Sequence, residues 1–202
     1  MLGRKDDSTY ADPAGKLTVS LQDKLTWWVA RKQLPENFVL VARARFPETP
    51  VSFSYDIEAK FVPSFHADNL AAVVRGTVNP DRYFFFTAHY DPLGGMGADT
   101  YFPGANDNAS GVSLLLALAK YYSAHPQPYS IGFLFFAGEE AGLIGSKYFV
   151  EHPTIDLSRI RFLLNFDLEG TGEEGATVVN ATEFPDEFSI LTSINSVGHY
   201  LV

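Results

Sequence analysis

Three short apolar runs, each ending in a histidine or a carboxylate, constrain this chain more than any other feature. Tyr83–Ala88 runs into His89-Tyr90-Asp91, Ile131–Ala137 into Gly138-Glu139-Glu140, and Ile160–Asn165 into Phe166-Asp167. Tyr83–Ala88 is near-continuously apolar, as a strand buried on both faces is, Ile131–Ala137 reads as another buried strand, and Ile160–Asn165 as the next strand. Helical patterns lie between them. Leu114, Leu115, Leu118 and Tyr122 share one helical face, entered through Asn108-Ala109-Ser110-Gly111, and Leu143–Glu151 forms a shorter helix. Strands alternating with helices predict an α/β fold with a mainly parallel sheet covered by helices. Thr177–Val179 is expected to begin one more strand. In open sheets of this kind ligands sit beyond the carboxyl ends of the strands. A fourth polar group, Gly104-Ala105-Asn106-Asp107-Asn108, lies where a long loop enters a helix. One imidazole and several carboxylates should therefore gather along one edge of the sheet.

The N-terminal quarter has a different texture. Met1–Lys16 reads as a polar lead-in with no apolar core of a signal peptide. Ser20 and Asp23 resemble a helix start, with Leu21, Leu25, Trp28 and Val29 on one face, and Phe38–Val41 reads as a short strand. Residues 1–50 are expected to form a separate segment, the tail of a preceding or inserted module, and residues 51–202 the main domain. Val51, Phe53, Tyr55, Ile57, Ala59 and Phe61 alternate in strand period, and Leu70–Val74 is placed beside them as the second arm of a hairpin.

The chain has no Cys, which removes disulfides, thiolate metal sites and thiol nucleophiles together. A formal charge of −9 argues against nucleic acid as a partner, and no apolar run is long enough to cross a membrane. Without Cys, a catalytic divalent ion must be held by imidazole nitrogen and carboxylate oxygen, a set that suits zinc. Asp91, two residues after His89, is placed to accept the second N–H of the imidazole. Adjacent Glu139 and Glu140 cannot point the same way, so one is free to bind metal while the other meets the metal's water as general base. Taken singly, each of these residues has an ordinary structural use: Asp107 and Asn108 as a helix cap, the Glu pair as a solvated surface. Their joint placement at strand ends is what points to a site.

Other histidines carry less. His125 and His152 each precede a Pro after a helix and read as helix-end residues, and His66 as an exposed loop residue. Gly95 and Gly97 lack the remainder of a phosphate loop, and neither Ser110 nor Ser146 lies in a G-x-S-x-G elbow. Trp27 and Trp28 are expected to pack.

Four stretches closely resemble the two-zinc aminopeptidases of family M28. They are Ala88–Asp91, Pro103–Gly111, Gly138–Ser146 and Asn165–Asp167, in matching order and spacing. The resemblance implies a three-layer α/β/α sandwich of the zinc-exopeptidase kind and hydrolysis of N-terminal residues from peptides. It implies that His89 and Asp167 hold one zinc, that Glu140 helps hold a second, and that Asp107 bridges the two. It further implies Glu139 as general base, Asp91 as the residue orienting His89, and a cis peptide bond between Asp107 and Asn108. The family's remaining ligand is a His farther downstream. His199 comes too early to match it, so the resemblance implies a domain lacking its C-terminal part and a weakly held second metal. A secreted or periplasmic location belongs to the same resemblance. A binding domain without activity and a single-zinc relative of glutaminyl cyclases are the competing readings.

Overall fold

The computed structural model describes residues 3–198, apart from 5–8, 12–13, 15, 26–28, 48–53, 59, 97, 171 and 173–174. Its contacts divide the chain into two compact units, Met1–His66 and Ala67–Val202. The sequence pattern drew this division after residue 50.

The first unit is a four-stranded sheet of β1 (Gly3–Arg4), β2 (Thr9–Ala11), β3 (Leu17–Gln22) and β4 (Asn37–Ala42), in that order. β3 pairs antiparallel with β2 and parallel with β4. The strand expected at Phe38–Val41 is β4. The helix expected from Ser20 is corrected, because its first residues belong to β3. Leu17, Val19 and Leu21 alternate in strand period and are buried together against Tyr10, Val39, Val41 and Phe46. Leu21 thus serves a period of two that starts upstream of the helical pattern, and Leu25 is exposed. Trp27 and Trp28 lie outside the described residues. Tyr55, Ile57 and Phe61 are exposed and irregular, so among the described residues the strand expected over 51–61 is absent.

The second unit is built on a mixed, mainly parallel sheet. β5 (Leu70–Val74), β6 (Asn79–His89), β9 (Tyr129–Phe136) and β10 (Ile160–Asn165) form it in the order β10-β6-β9-β5. β6, β9 and β10 run parallel, and β5 pairs antiparallel with β9. The expected hairpin partner of β5 is therefore corrected: its short apolar run pairs with the buried central strand instead of the segment before it. A small hairpin of β7 (Gly94–Met96) and β8 (Thr100–Phe102) lies in the loop after β6. Three helices follow, α1 (Gly111–Ala124), α2 (Ile144–Glu151) and α3 (Pro185–Gly198). The last was not anticipated, and Thr177–Val179 is not a strand.

Side chains alternate across the sheet, and this sets the layers. Ala88, Ile131 and Phe133 face one way and bury Leu115 of α1, with Leu118, Ala119 and Tyr122 packed beside it. Phe85 and Leu134 face the other way and bury Phe149 of α2. One helix on each face makes an α/β/α arrangement around a strand, β9, that has no solvent face over its middle. Phe86 stacks on Phe133, Tyr122 and Phe166 at centroid distances of 6.0, 5.9 and 5.8 Å, which ties the end of β10 into the core. No helix among the described residues is long and apolar enough to cross a membrane.

Candidate metal centre

Parallel pairing delivers the polar residues to one edge. His89 sits opposite Phe136, and Asn165 opposite Thr87. The ladder continues past the strands: Tyr90 N–H donates to the Phe136 carbonyl at 3.0 Å and Phe166 N–H to the Thr87 carbonyl at 2.9 Å. His89 closes β6 and is buried, while Asp167 follows β10 with Phe166 anchored below it. Asp107 lies on the loop before α1, where Asp107 and Asn108 interrupt a helical turn with non-helical angles and are joined by a cis peptide bond. Gly104 opens that loop at φ +67, and a Cβ there would stand 2.7 Å from Pro92 Cβ, so glycine is required on both counts. Glu139 and Glu140 occupy a tight turn after β9. The Glu139 carbonyl accepts Gly142 N–H at 2.7 Å and Leu143 N–H at 2.9 Å, and the Gly138 carbonyl accepts Ile144 N–H at 2.9 Å.

His89, Asp107 and Asp167 converge. Nε2 of His89 lies 3.1 Å from Asp107 Oδ1 and 3.4 Å from Asp167 Oδ1. It is near enough for charge attraction, yet it is buried with no hydrogen-bond partner. On the other side of the ring, Nδ1 donates to the Asp91 carbonyl at 3.1 Å, with the Asp91 carboxylate farther off at 3.7 Å. Asp91 therefore meets the imidazole through its main chain. Its carboxylate is engaged elsewhere, accepting Glu139 N–H at 3.0 Å on one oxygen and Glu140 N–H at 3.1 Å on the other.

This geometry decides the tautomer. A ring that donates from Nδ1 leaves the Nε2 lone pair facing the two carboxylates when neutral. Burial is the largest single influence on His89 and opposes its charge, but Asp167, Glu139, the Asp91 carbonyl and Asp107 act together to raise its pKa above 6.5. Burial raises the pKa of Glu139 above its ordinary value, with Asp167, Asp91 and Asp107 adding to the rise against the pull of His89. Glu140 is raised by burial and then by Asp107 and Glu139. A buried, unpartnered nitrogen facing two oxygen donors, with no thiolate in the chain, fits a zinc ion.

Among the described residues, His89, Asp107 and Asp167 are the one group of three whose ligand atoms lie within 4.8 Å of one another. Glu140 falls outside that group, although the Asp107 charge reaches it. Glu139 is close enough for its charge to act on His89. His125 and His152 stack on Tyr121 and Tyr148 at helix ends, each at 4.4 Å, and His66 is exposed. His199 lies outside the described residues. Asn69 was given no role in the sequence, Asn106 was noted only as part of the fourth polar group, and Ser110 was weighed only as a nucleophile. Asn69 binds the Glu turn at both ends, accepting Ala137 N–H at 3.1 Å and donating to the Gly145 carbonyl at 2.8 Å. Its one sequence signal is position, at the start of a strand, and only tertiary pairing of β5 with β9 brings it there.

A model described as Peptidase family M28 matches residues 69–199. A probable zinc metalloprotease of Pyricularia oryzae is 29% identical over 172 residues, covering 83% of this chain and 33% of that protein. Aminopeptidase YwaD of Bacillus subtilis is 38% identical over 94 residues, covering 46% of this chain and 19% of that protein. Among solved structures, BSAP, a zinc aminopeptidase from Bacillus subtilis, superposes with a TM-score of 0.51 at 29% identity, covering 64% of this chain and 32% of that one. The chain thus spans no more than about a third of the length of these relatives.

Proposed function

The chain belongs to peptidase family M28, and from that premise we propose that it carries the metal-binding face of a zinc-dependent aminopeptidase. The observation that carries this reading is the His89 Nε2 atom, buried without a hydrogen-bond partner and set 3.1 and 3.4 Å from the carboxylates of Asp107 and Asp167. His89, Asp107 and Asp167 would hold one zinc, and Asp107 with Glu140 a second. Bound zinc supplies a water acidified toward neutral pH and polarises a peptide carbonyl.

The chain's own residues do the remainder. Glu139 takes a proton from the attacking water as the new C–O bond forms and returns it to the amine nitrogen, whose protonation lets the peptide C–N bond break. The Asp91 carbonyl orients His89, and the Asp91 carboxylate holds the main chain of Glu139 and Glu140.

The test is zinc content and affinity, read beside hydrolysis of aminoacyl-nitroanilide. One zinc per chain should bind tightly and a second more weakly, because Glu140 stands outside the three-residue group. His89→Ala should abolish the tight site. Undiminished zinc binding by that variant would end the proposal.

A further inference from the structure

We propose that Asn106 and Ser110 are positioning residues. They tie the backbone after Asp167 to the loop bearing Asp107, and so set the spacing of the two carboxylates that face His89. The inference rests on the metal-centre reading above.

Three alternate residues of the loop grip one neighbouring segment. Asn106 Oδ1 accepts the Gly170 N–H at 2.7 Å. Ser110 Oγ accepts the Glu169 N–H at 2.9 Å and donates to the Asn106 carbonyl at 2.7 Å, which links the first two contacts to each other. Asn108 Nδ2 donates to the Phe166 carbonyl at 3.0 Å, and its Oδ1 accepts the Gly111 N–H at 3.0 Å. Asp167 is held on both sides, at Phe166 and at residues 169–170. The approach at Gly170 is close, since a Cβ there would stand 2.5 Å from Asn106 Oδ1.

The two carboxylates need such a device. Asp107 and Asp167 are 48% and 39% exposed, and both stand on loops beyond the strands. Two carboxylates directed at one point repel each other until a cation joins them. The segments carrying them are distant in sequence, so their separation depends on bonds across the gap. Metal ligands tolerate errors of only about 0.2 Å. Asn108 is buried at 2% exposure, so replacing it would confuse positioning with folding. Asn106 and Ser110 are only part-buried and give the cleaner test.

Zinc affinity of the folded 202-residue chain, measured by competition with a chromophoric chelator, decides the matter. Parent, Asn106→Ala, Ser110→Ala, Ser110→Thr and His89→Ala are compared, with thermal unfolding of each in EDTA. The expected result is a loss of about ten- to a hundredfold in affinity for each alanine variant. Ser110→Thr, which keeps the hydroxyl, should restore parental binding. The visible spectrum of the cobalt-loaded alanine variants should shift with the altered ligand spacing. A purely structural role would lower the unfolding temperature in EDTA and leave the affinity of the folded chain parental, and that result overturns the inference. Should Ser110→Ala fail to fold, Asn106→Ala decides. A parent that binds no zinc, or a His89→Ala variant that binds like the parent, overturns the centre itself and this inference with it. Loss in His89→Ala with parental affinity in both alanine variants overturns the positioning role alone.

Discussion

His89 is pulled in two directions, and the balance gives a signed expectation. Burial opposes its charge, while Asp167, Glu139, Asp107 and the Asp91 carbonyl favour it, leaving a pKa above 6.5. In the metal-free chain the protonated ring contributes stability below the unfolded value, and that contribution is lost as pH rises through the raised folded value. Zinc requires the neutral ring, so metal binding runs the opposite way. Apparent zinc affinity should fall by about tenfold per pH unit below the folded pKa, as one proton competes for Nε2. Chelator competition across pH 5 to about 8 checks this, and a flat profile would remove His89 from the ligand set. A substitution at Glu139 tests whether it serves chemistry, as proposed, or metal binding. Glu139→Gln keeps the size of the side chain and removes its capacity to take a proton. It should lower turnover by roughly 10²–10⁴-fold and leave zinc stoichiometry unchanged. Loss of metal along with activity would make Glu139 a ligand instead.

At the scale of elements, β6 ends in His89 and its neighbour β9 leads into the Glu139–Glu140 turn, and one glycine permits the packing of the pair. A Cβ on Gly132 would collide with the ring of Phe85 on the neighbouring strand. Gly132→Ala should therefore destabilise the fold by about 1–3 kcal/mol, the range for overpacking a dense core. A denaturant midpoint measured in EDTA reads this without interference from the metal, and an unchanged midpoint would mean that Phe85 has room to move. These strands were legible because β9, buried on both faces over its middle, leaves a long apolar run at Ile131–Phe136, and β6 carries another at Tyr83–Phe86 although Phe84 is exposed. β3 was not, because Leu21 fits both a period of two with Leu17 and Val19 and a helical face with Leu25. The partner of β5 was misread for a related reason. Alternating residues near it in sequence suggested a hairpin, whereas β5, itself mostly exposed, pairs its main chain with the edge of β9 that β6 leaves open.

For the molecule as a whole, a metal held as proposed by His89, Asp107 and Asp167 would couple the ends of β6 and β10 to the loop before α1. Zinc at a hundredfold excess over its Kd should stabilise the parent by about 2.7 kcal/mol, seen as a rise in unfolding temperature that His89→Ala lacks. An equal rise in both would place the stabilising ion elsewhere, and the chain's charge of −9 leaves many carboxylates to provide such a place.

The residue types of the centre and the strands that bear them were written into the chain. Apolar runs, their terminal polar groups and the absence of Cys are local properties, and the four stretches that match family M28 are contiguous. Tertiary structure alone decided what those residues touch. Whether Asp91 meets His89 by carboxylate or by carbonyl, and whether Asn69, Asn106 and Ser110 matter, depends on separations between segments far apart in sequence. A hydrogen bond is specified over a few tenths of an ångström, a precision that patterning along the chain does not encode and that only packing of the folded elements supplies.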